Sequence, residues 1–366
     1  MTKKITQLVK KEFKEYAREH ILLLSYILPL SIIFIIGYGL NMDTEHIRTI
    51  IIDNDKTPVS MKFSQKFYNT KYFDSKTIDI STNKALNKVK TNQTELLIII
   101  PSNFEKNLLK GTPVQLGVYI DGVYPMLSKT ISGYVKAALY SFVASETSMK
   151  PKIVYEPRNL FNQSMKTRWA VIPGSIALIM ILVPAMFSAL MVVKEKERGT
   201  IFNFYASSMS KGEFLLGKVI PSFIIHYITV IALLLIAILL FELPFRGSFI
   251  LYALSSALFL LISIGIGLLV SIVTKSQIAA IILTAMVTII PGILYSGIMT
   301  PIDTMEGMAS FTAHIYPMMY YVSIMYDIFL IGDGFSSLVI REYLYILVIF
   351  VLAIYFLNYL LLRKKL

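Results

Sequence analysis

Few residues in this chain are of a type and spacing that could do chemistry. Its four histidines, His20, His46, His226 and His314, are scattered. No H-E-x-x-H, G-x-S-x-G or G-x-x-x-x-G-K-[ST] stretch occurs, so the residue orders of a zinc hydrolase, a serine hydrolase and a phosphate-cradling loop are missing. There is no cysteine, which excludes disulfides, thiolate metal sites and thiol nucleophiles. Asp53 and Asp55 have the look of a metal or catalytic acid pair, but they close a β-branched run and read as turn residues, whose carboxylates bond to nearby backbone N–H groups. No catalytic, cofactor-binding or metal-ligating set is assigned. Two features remain. One is the charged string Lys194-Glu195-Lys196-Glu197-Arg198-Gly199-Thr200, whose side chains can grip a partner's surface and whose glycine can bend the chain. The other is His226, an ionisable residue inside an apolar run, a position that marks a functional suspect by default.

The elements that position these residues are set by hydropathy. The chain has 366 residues, 55% hydrophobic and 16% charged, against ~25% charged in soluble domains. Uncharged apolar runs of the roughly 20 residues that cross a bilayer cover 21–40, 171–193, 219–241, 249–273, 278–298 and 343–362. Some fifteen large apolar residues in each contribute about −5 to −9 kcal/mol on insertion scales, which outweighs the one ionisable residue among them, His226. The run at 21–40 follows Lys3, Lys4, Lys10, Lys11, Lys14 and Arg18. It is longer than a signal-peptide core and lacks a small-residue cleavage site, so it reads as an uncleaved anchor.

Orientation follows from the basic residues of short loops. The stretch before Ile21, the loop 194–218 (Lys194, Lys196, Arg198, Lys211, Lys218), Lys275 and the tail Arg363-Lys364-Lys365 are all basic. The alternate segments are poor: 242–248 has only Arg246, and 299–342 has Arg341 against five acids. With six spans every basic segment falls on the cytoplasmic side, both termini included. The net charge of +12 is then a membrane-facing charge and points away from nucleic acid, because the cations flank apolar runs.

The expected fold class is an α-helical polytopic membrane protein with six transmembrane helices and an inserted α/β extracytoplasmic domain. Residues 1–20 form a cytoplasmic amphipathic helix, with Ile5, Leu8, Val9 and Phe13 near one face. It can lie in the membrane interface or touch a partner. Residues 41–168 form the α/β domain. Its strand signals are Thr49 to Asp53, Leu96 to Ile100 and Val114 to Ile120. A capping-box pattern from Ser102 to Glu105 opens a helix that ends at Gly111. At about 125 residues it is large enough for its own core. Residues 169–366 form a five-helix membrane domain. Within it, 299–342 is too polar for a span and too apolar for a plain loop, and reads as re-entrant, a form tolerated only where protein covers the free backbone groups.

Several stretches resemble the type-2 permeases of ATP-binding-cassette exporters, in particular the subgroup with a large extracytoplasmic domain between its first two spans. They are Lys11-Glu12-Phe13, Ile52-Asp53-Asn54-Asp55-Lys56-Thr57-Pro58-Val59-Ser60, Ile100-Pro101-Ser102-Asn103-Phe104-Glu105, Tyr119-Ile120-Asp121-Gly122, Glu156-Pro157-Arg158, Val171-Ile172-Pro173-Gly174, Lys194 to Thr200, and Tyr295-Ser296-Gly297 with Pro301-Ile302. The resemblance covers nearly the whole chain. Two departures stand out: Asp327, where members often carry arginine, and Asn162-Gln163, where many have Asn-Pro.

The resemblance implies a permease in the bacterial inner membrane. It exports an amphipathic or hydrophobic substrate, with no cofactor of its own and with ATP–Mg bound by a separate cytoplasmic nucleotide-binding subunit. It implies a second permease as partner in a homodimer or heterodimer, and leaves room for a periplasmic adaptor protein. It makes Glu195, Glu197, Arg198, Gly199 and Thr200 the ATPase-coupling residues. Pro173-Gly174, Pro184, Gly265, Gly267 and Pro291-Gly292 are candidates for helix packing or hinging, since small residues let helices approach closely. The competing class is a non-transporting membrane receptor or assembly protein that senses through 41–168.

Overall fold

A computed structural model describes residues 2–18, 21–39, 46–68, 70–78, 80–91, 93–121, 125–146, 161–162 and 166–362. The resemblance stretch Glu156-Pro157-Arg158 and the basic tail 363–366 lie outside them. The chain forms two compact units, one of residues 42–158 and one built from the segments before and after it.

The chain opens with α1 (Thr2–Arg18) and α2 (Ile21–Gly39). The 42–158 unit follows as β1 (Ile47–Asp53), α3 (Pro58–Tyr68), β2 (Phe73–Thr77), α4 (Thr82–Lys90), β3 (Leu96–Ile100), α5 (Phe104–Leu109), β4 (Gly117–Ile120) and α6 (Pro125–Glu146). Its sheet runs in the order β2-β1-β3-β4, with β1 parallel to both neighbours and β3 antiparallel to β4. Side chains alternate across a strand. Ile47, Ile51, Leu96, Ile98 and Ile100 therefore join α3, α5 and α6 in one core, while Ile50, Ile52 and Leu97 face Ala85 of α4 in another. Cover on both faces is why the strand sequences TIIID and LLIII are almost continuously apolar.

Asp53 and Asp55 hold this unit's main turn. Asp53 Oδ1 accepts the N–H of Asp55 and of Lys56, both at 3.0 Å, and its Oδ2 accepts the Ser60 hydroxyl at 2.7 Å. Asp55 Oδ2 accepts the Thr57 hydroxyl at 2.7 Å and reaches across to the Glu105 N–H at 3.0 Å. The capping box expected from Ser102 to Glu105 does not form. Asn103 occupies the N-cap with φ 64° and no side-chain bond, and Asp55 supplies the missing acceptor from 50 residues away. Slight desolvation opposes ionisation of Asp55, but the N–H and hydroxyl donors around it hold its carboxyl below the usual carboxylate range. A depressed carboxylate stabilises the fold above its unfolded pKa of about 4 and loses that contribution as pH falls through the folded value. Asp55→Ala is expected to cost about 1 kcal/mol, the usual worth of a cap. The lost cap should be read as faster tryptic cleavage at Lys106 and Lys110.

The second unit continues with α7 (Thr167–Glu197), α8 (Ile201–Ala206), α9 (Lys211–Leu239), α10 (Phe249–Val273) and α11 (Gln277–Tyr295). It closes with α12 (Met308–Ile315), α13 (Met318–Tyr326), which runs on as a wider π turn over Asp327–Ile331, and α14 (Leu338–Leu361). Among the described residues, α7, α9, α10, α11 and α14 are long and apolar enough to cross a membrane. Of the five, α7 is the most buried and α14 the least. Side-chain oxygens on N-caps Ser210, Ser248, Ser276 and Ser337 start α9, α10, α11 and α14, and Glu213 completes a capping box at Ser210.

Two helices outrun the hydropathy. Of the segment 194–218, the first four residues belong to α7 and the last eight to α9, so the connection proper is 198–210. A charged residue continues a helix as readily as an apolar one, so helix ends do not follow hydropathy. The region 299–342 is a series of short helices, and its α13 is deeply buried: Tyr321, Ile324, Met325, Ile328 and Phe329 are all inside the unit. Asp327 lies at the start of the π turn, buried, with its carboxylate accepting the N–H of Gly334 at 2.9 Å and of Asp333 at 3.2 Å. Carbonyls freed by these irregular turns also find partners, as when Ile328 O takes the N–H of Arg246 and Gly247.

Candidate functional site

The last turn of α7 is a junction for four helices. Glu195 points inward. Its Oε2 lies 3.0 Å from Lys218 Nζ of α9, and its Oε1 lies 2.7 Å from Lys11 Nζ of α1. Lys218 Nζ also reaches Glu12 Oε1 of α1 at 2.7 Å. The Lys218 and Glu12 side chains are each 1% exposed and that of Glu195 10%. A buried ammonium thus bridges two carboxylates from two other helices. Burial pushes the Glu12 carboxyl up, with Lys218 opposing it. Glu12, Glu15 and Glu195 bring oxygens within 4.8 Å of one another, a spacing that suits a cation. The ammonium groups of Lys218 and Lys11 already stand on those oxygens.

The flanking residues fasten other elements. Lys196 Nζ donates to the carbonyls of Ile272 and Thr274, at 3.1 and 3.2 Å, and to Ser271 O. A cation there satisfies the acceptors at the C-terminal end of α10 and complements its dipole. Glu197 Oε1 accepts the Gln277 N–H at 2.7 Å, and its Oε2 accepts the Gln277 amide, which caps α11. Gly199 turns the chain in the left-handed region at φ 71°, where a Cβ is strained. Arg198 and Thr200 are exposed beside it. Then comes α8, which buries Ile201 and Phe204, stacks Phe204 on Phe214 at 4.2 Å, and leaves Phe202 59% exposed.

The five residues expected to act together therefore divide. Glu195 is internal, Glu197 serves α11, and Arg198, Gly199 and Thr200 form an outward corner with Phe202. Sequence reasoning missed the buried pair of Glu12 and Lys218. One signal was present: Glu12 falls on the same helical face as Ile5, Leu8 and Tyr16, and an acid on an apolar stripe asks for a buried partner.

The α1 helix is a packed strap in this unit. Leu8 lies so close to Gly217 that a Cβ there would sit 2.2 Å from it. Lys4 Nζ bonds the Ser208 hydroxyl at 2.9 Å, tying the start of α1 to the chain after α8. His226 is buried in α9, with Nδ1 2.8 Å from Ser222 O, its Nε2 without a partner among the described residues, and the Phe187 ring centroid 5.7 Å away.

The packing candidates sit at close approaches. A Cβ on Gly267 would lie 2.0 Å from Ala185 O, and one on Gly174 2.7 Å from Ile298. One on Gly265 would lie 2.4 Å from Ile354, and one on Gly292 3.0 Å from Met318. Pro173, Pro184 and Pro291 lie inside α7 and α11. Near these points Ser188 donates to Ile264 O, Ser263 to Ile181 O and Asn358 to Gly265 O, so polar side chains in apolar helices reach neighbouring backbones.

The chain is 27% identical over 340 residues to the probable multidrug ABC transporter permease YbhS of Escherichia coli (strain K12), covering 90% of this chain and 89% of that one. It is 24% identical over 334 residues to the probable multidrug ABC transporter permease YbhR of the same organism, 90% of each chain. To the inner membrane transport permease YhhJ it is 23% identical over 294 residues, 78% of this chain and 77% of that one. The family model for the ABC-2 family transporter protein matches residues 20–361, and this chain belongs to that family.

Proposed function

We propose that this chain is the membrane permease subunit of an ATP-driven exporter, taking an amphipathic or hydrophobic substrate from the cytoplasm or inner leaflet outward. ATP–Mg is bound and hydrolysed on a separate cytoplasmic subunit. The relatives' names as multidrug permeases support the apolar cargo. In this reading α2 is a sixth span: 19 residues at 1.5 Å each cover about 28 Å, close to the ~30 Å hydrocarbon core. Both termini and the 198–210 connection are cytoplasmic, and the 42–158 unit is extracytoplasmic. The short helices of 299–342 form a half-inserted rim on that outer side. The permease works as a dimer with a second copy or a paralogue, and a periplasmic adaptor docks on 42–158.

The observation that carries the proposal is the corner Arg198-Gly199-Thr200 with Phe202. It is exposed, yet it grows from a helix end fastened to α1, α9, α10 and α11. A push on that corner by a nucleotide-driven partner reaches four helices at once. Glu195 acts from inside as the anchor and Glu197 as the α11 clamp.

Arg198→Glu with Phe202→Glu is expected to reduce co-purification with the ATPase subunit by about tenfold, on the order of 1.4 kcal/mol. The permease should keep its own melting temperature. Unchanged recovery together with unchanged substrate-stimulated ATP hydrolysis would sink the docking role.

A further inference from the structure

We propose that the groove between α3 and α6 in the 42–158 unit binds a soluble amphipathic organic anion. The groove has a volume of about 630 Å³, within the usual range of small-molecule sites. Every described residue that lines it belongs to this one unit.

Its floor is aromatic. Tyr72 and Tyr134 lie with ring centroids 4.5 Å apart, and Phe73 meets Tyr134 edge-on at 6.3 Å. Its α6 wall is cut low by Ala137, Ala138, Ser141 and Ser145, small residues that keep the space open. Its α3 rim carries Lys62 and Lys66, one helical turn apart, and Lys71 stands over the Tyr72 ring at 5.3 Å. Among the described residues that line the groove there is no aspartate or glutamate. The Thr70 hydroxyl is buried there with no hydrogen-bond partner among the described residues. A buried hydroxyl left without a partner costs free energy, and a ligand oxygen would satisfy it.

An aromatic floor asks for a flat or acyl body. An ammonium rim with an idle donor asks for an anionic head, such as a carboxylate or sulfonate. Charge also disfavours one other occupant: a two-fold contact between copies centred here would set Lys62 and Lys66 against their own images.

The test uses the full chain in nanodiscs of zwitterionic lipid, with 1-pyrenebutyrate as the probe and fluorescence anisotropy as the readout. Empty discs serve as the blank. Saturable binding above the blank is expected. Lys62→Gln with Lys66→Gln should weaken it by about tenfold or more, since hydrogen bonds to charged groups are the strong ones. Ala138→Trp, which fills the groove, should abolish it. The uncharged 1-pyrenebutanol should bind no better than to empty discs. Binding equal to the blank, or insensitivity to both variants, overturns the proposal. Pyrenebutanol bound as tightly as pyrenebutyrate overturns its anionic character. Self-cross-linking of Ala137→Cys chains without probe binding would assign the groove to a contact between copies. Melting curves confirm that each variant is folded, which matters most for the half-buried Lys66. No ATPase subunit is present, so failure here leaves the transport reading untouched.

Discussion

Lys218→Met is expected to be among the most damaging single changes in the chain. It leaves Glu12 and Glu195 facing each other without the buried ammonium that bridges them. Removing one partner of a buried ion pair costs about 3–5 kcal/mol, because the remaining charge is uncompensated. Lys11 offsets part of this at Glu195 but lies 3.9 Å from Glu12. The expected result is a much lower thermal midpoint in detergent and release of α1, read as tryptic cleavage at Lys10 and Lys14 with α7 and α9 still protected. The decisive comparison is the triple variant Glu12→Gln, Glu195→Gln, Lys218→Met. Neutralising a whole buried cluster is often harmless where breaking it is not, so the triple variant should recover most of the lost midpoint. If it is as unstable as Lys218→Met alone, shape rather than charge holds the junction. If Lys218→Met melts like the wild type, the ion pairs contribute nothing.

Gly267→Leu should have an effect of similar size by a different route. Its Cβ would fall 2.0 Å from Ala185 O and 2.1 Å from Ser188 Oγ. The first is backbone on the most buried helix and cannot swing away as a side-chain tip can. Overpacking a core costs about 1–3 kcal/mol and sometimes more, and here it also displaces the hydrogen bond from Ser188 to Ile264 O. The expected outcome is loss of the monodisperse peak on size exclusion. Gly265→Ala is the milder control: its Cβ meets the Ile354 side chain, which sits on the less buried α14. A wild-type profile for Gly267→Leu would refute the close approach of α7 and α10.

Much of this architecture was legible in the residues, for physical reasons that also mark where legibility stopped. Apolar runs announce long helices because a stretch of roughly twenty apolar residues is what a bilayer crossing takes. β1 and β3 were readable because a strand covered on both faces must be apolar on both. β2, sequence FDSKT, was not. It is an edge strand with charged, exposed positions, and edges carry such residues to deter pairing with other chains. The cap of α5 was missed because its acceptor, Asp55, comes from another loop. The string Lys194 to Thr200 was recognisable, but the inward turn of Glu195 was not. Its partners lie 184 residues earlier in the chain and 23 residues later, and no local pattern encodes the meeting of three helices. Exposure of Phe202 was likewise unreadable, since Phe204 two residues on is buried.

The strap formed by α1 also sets a timetable for making the protein. Glu12 and Lys218 are 206 residues apart, and at about 5–20 residues per second of synthesis the wait between them is on the order of 10–40 s. Through that interval Glu12 can remain hydrated only if α1 stays out of the bilayer core, which its lysines favour. Docking of the first helix is therefore among the late events of assembly, and a nascent chain halted before Lys218 would still carry α1 undocked.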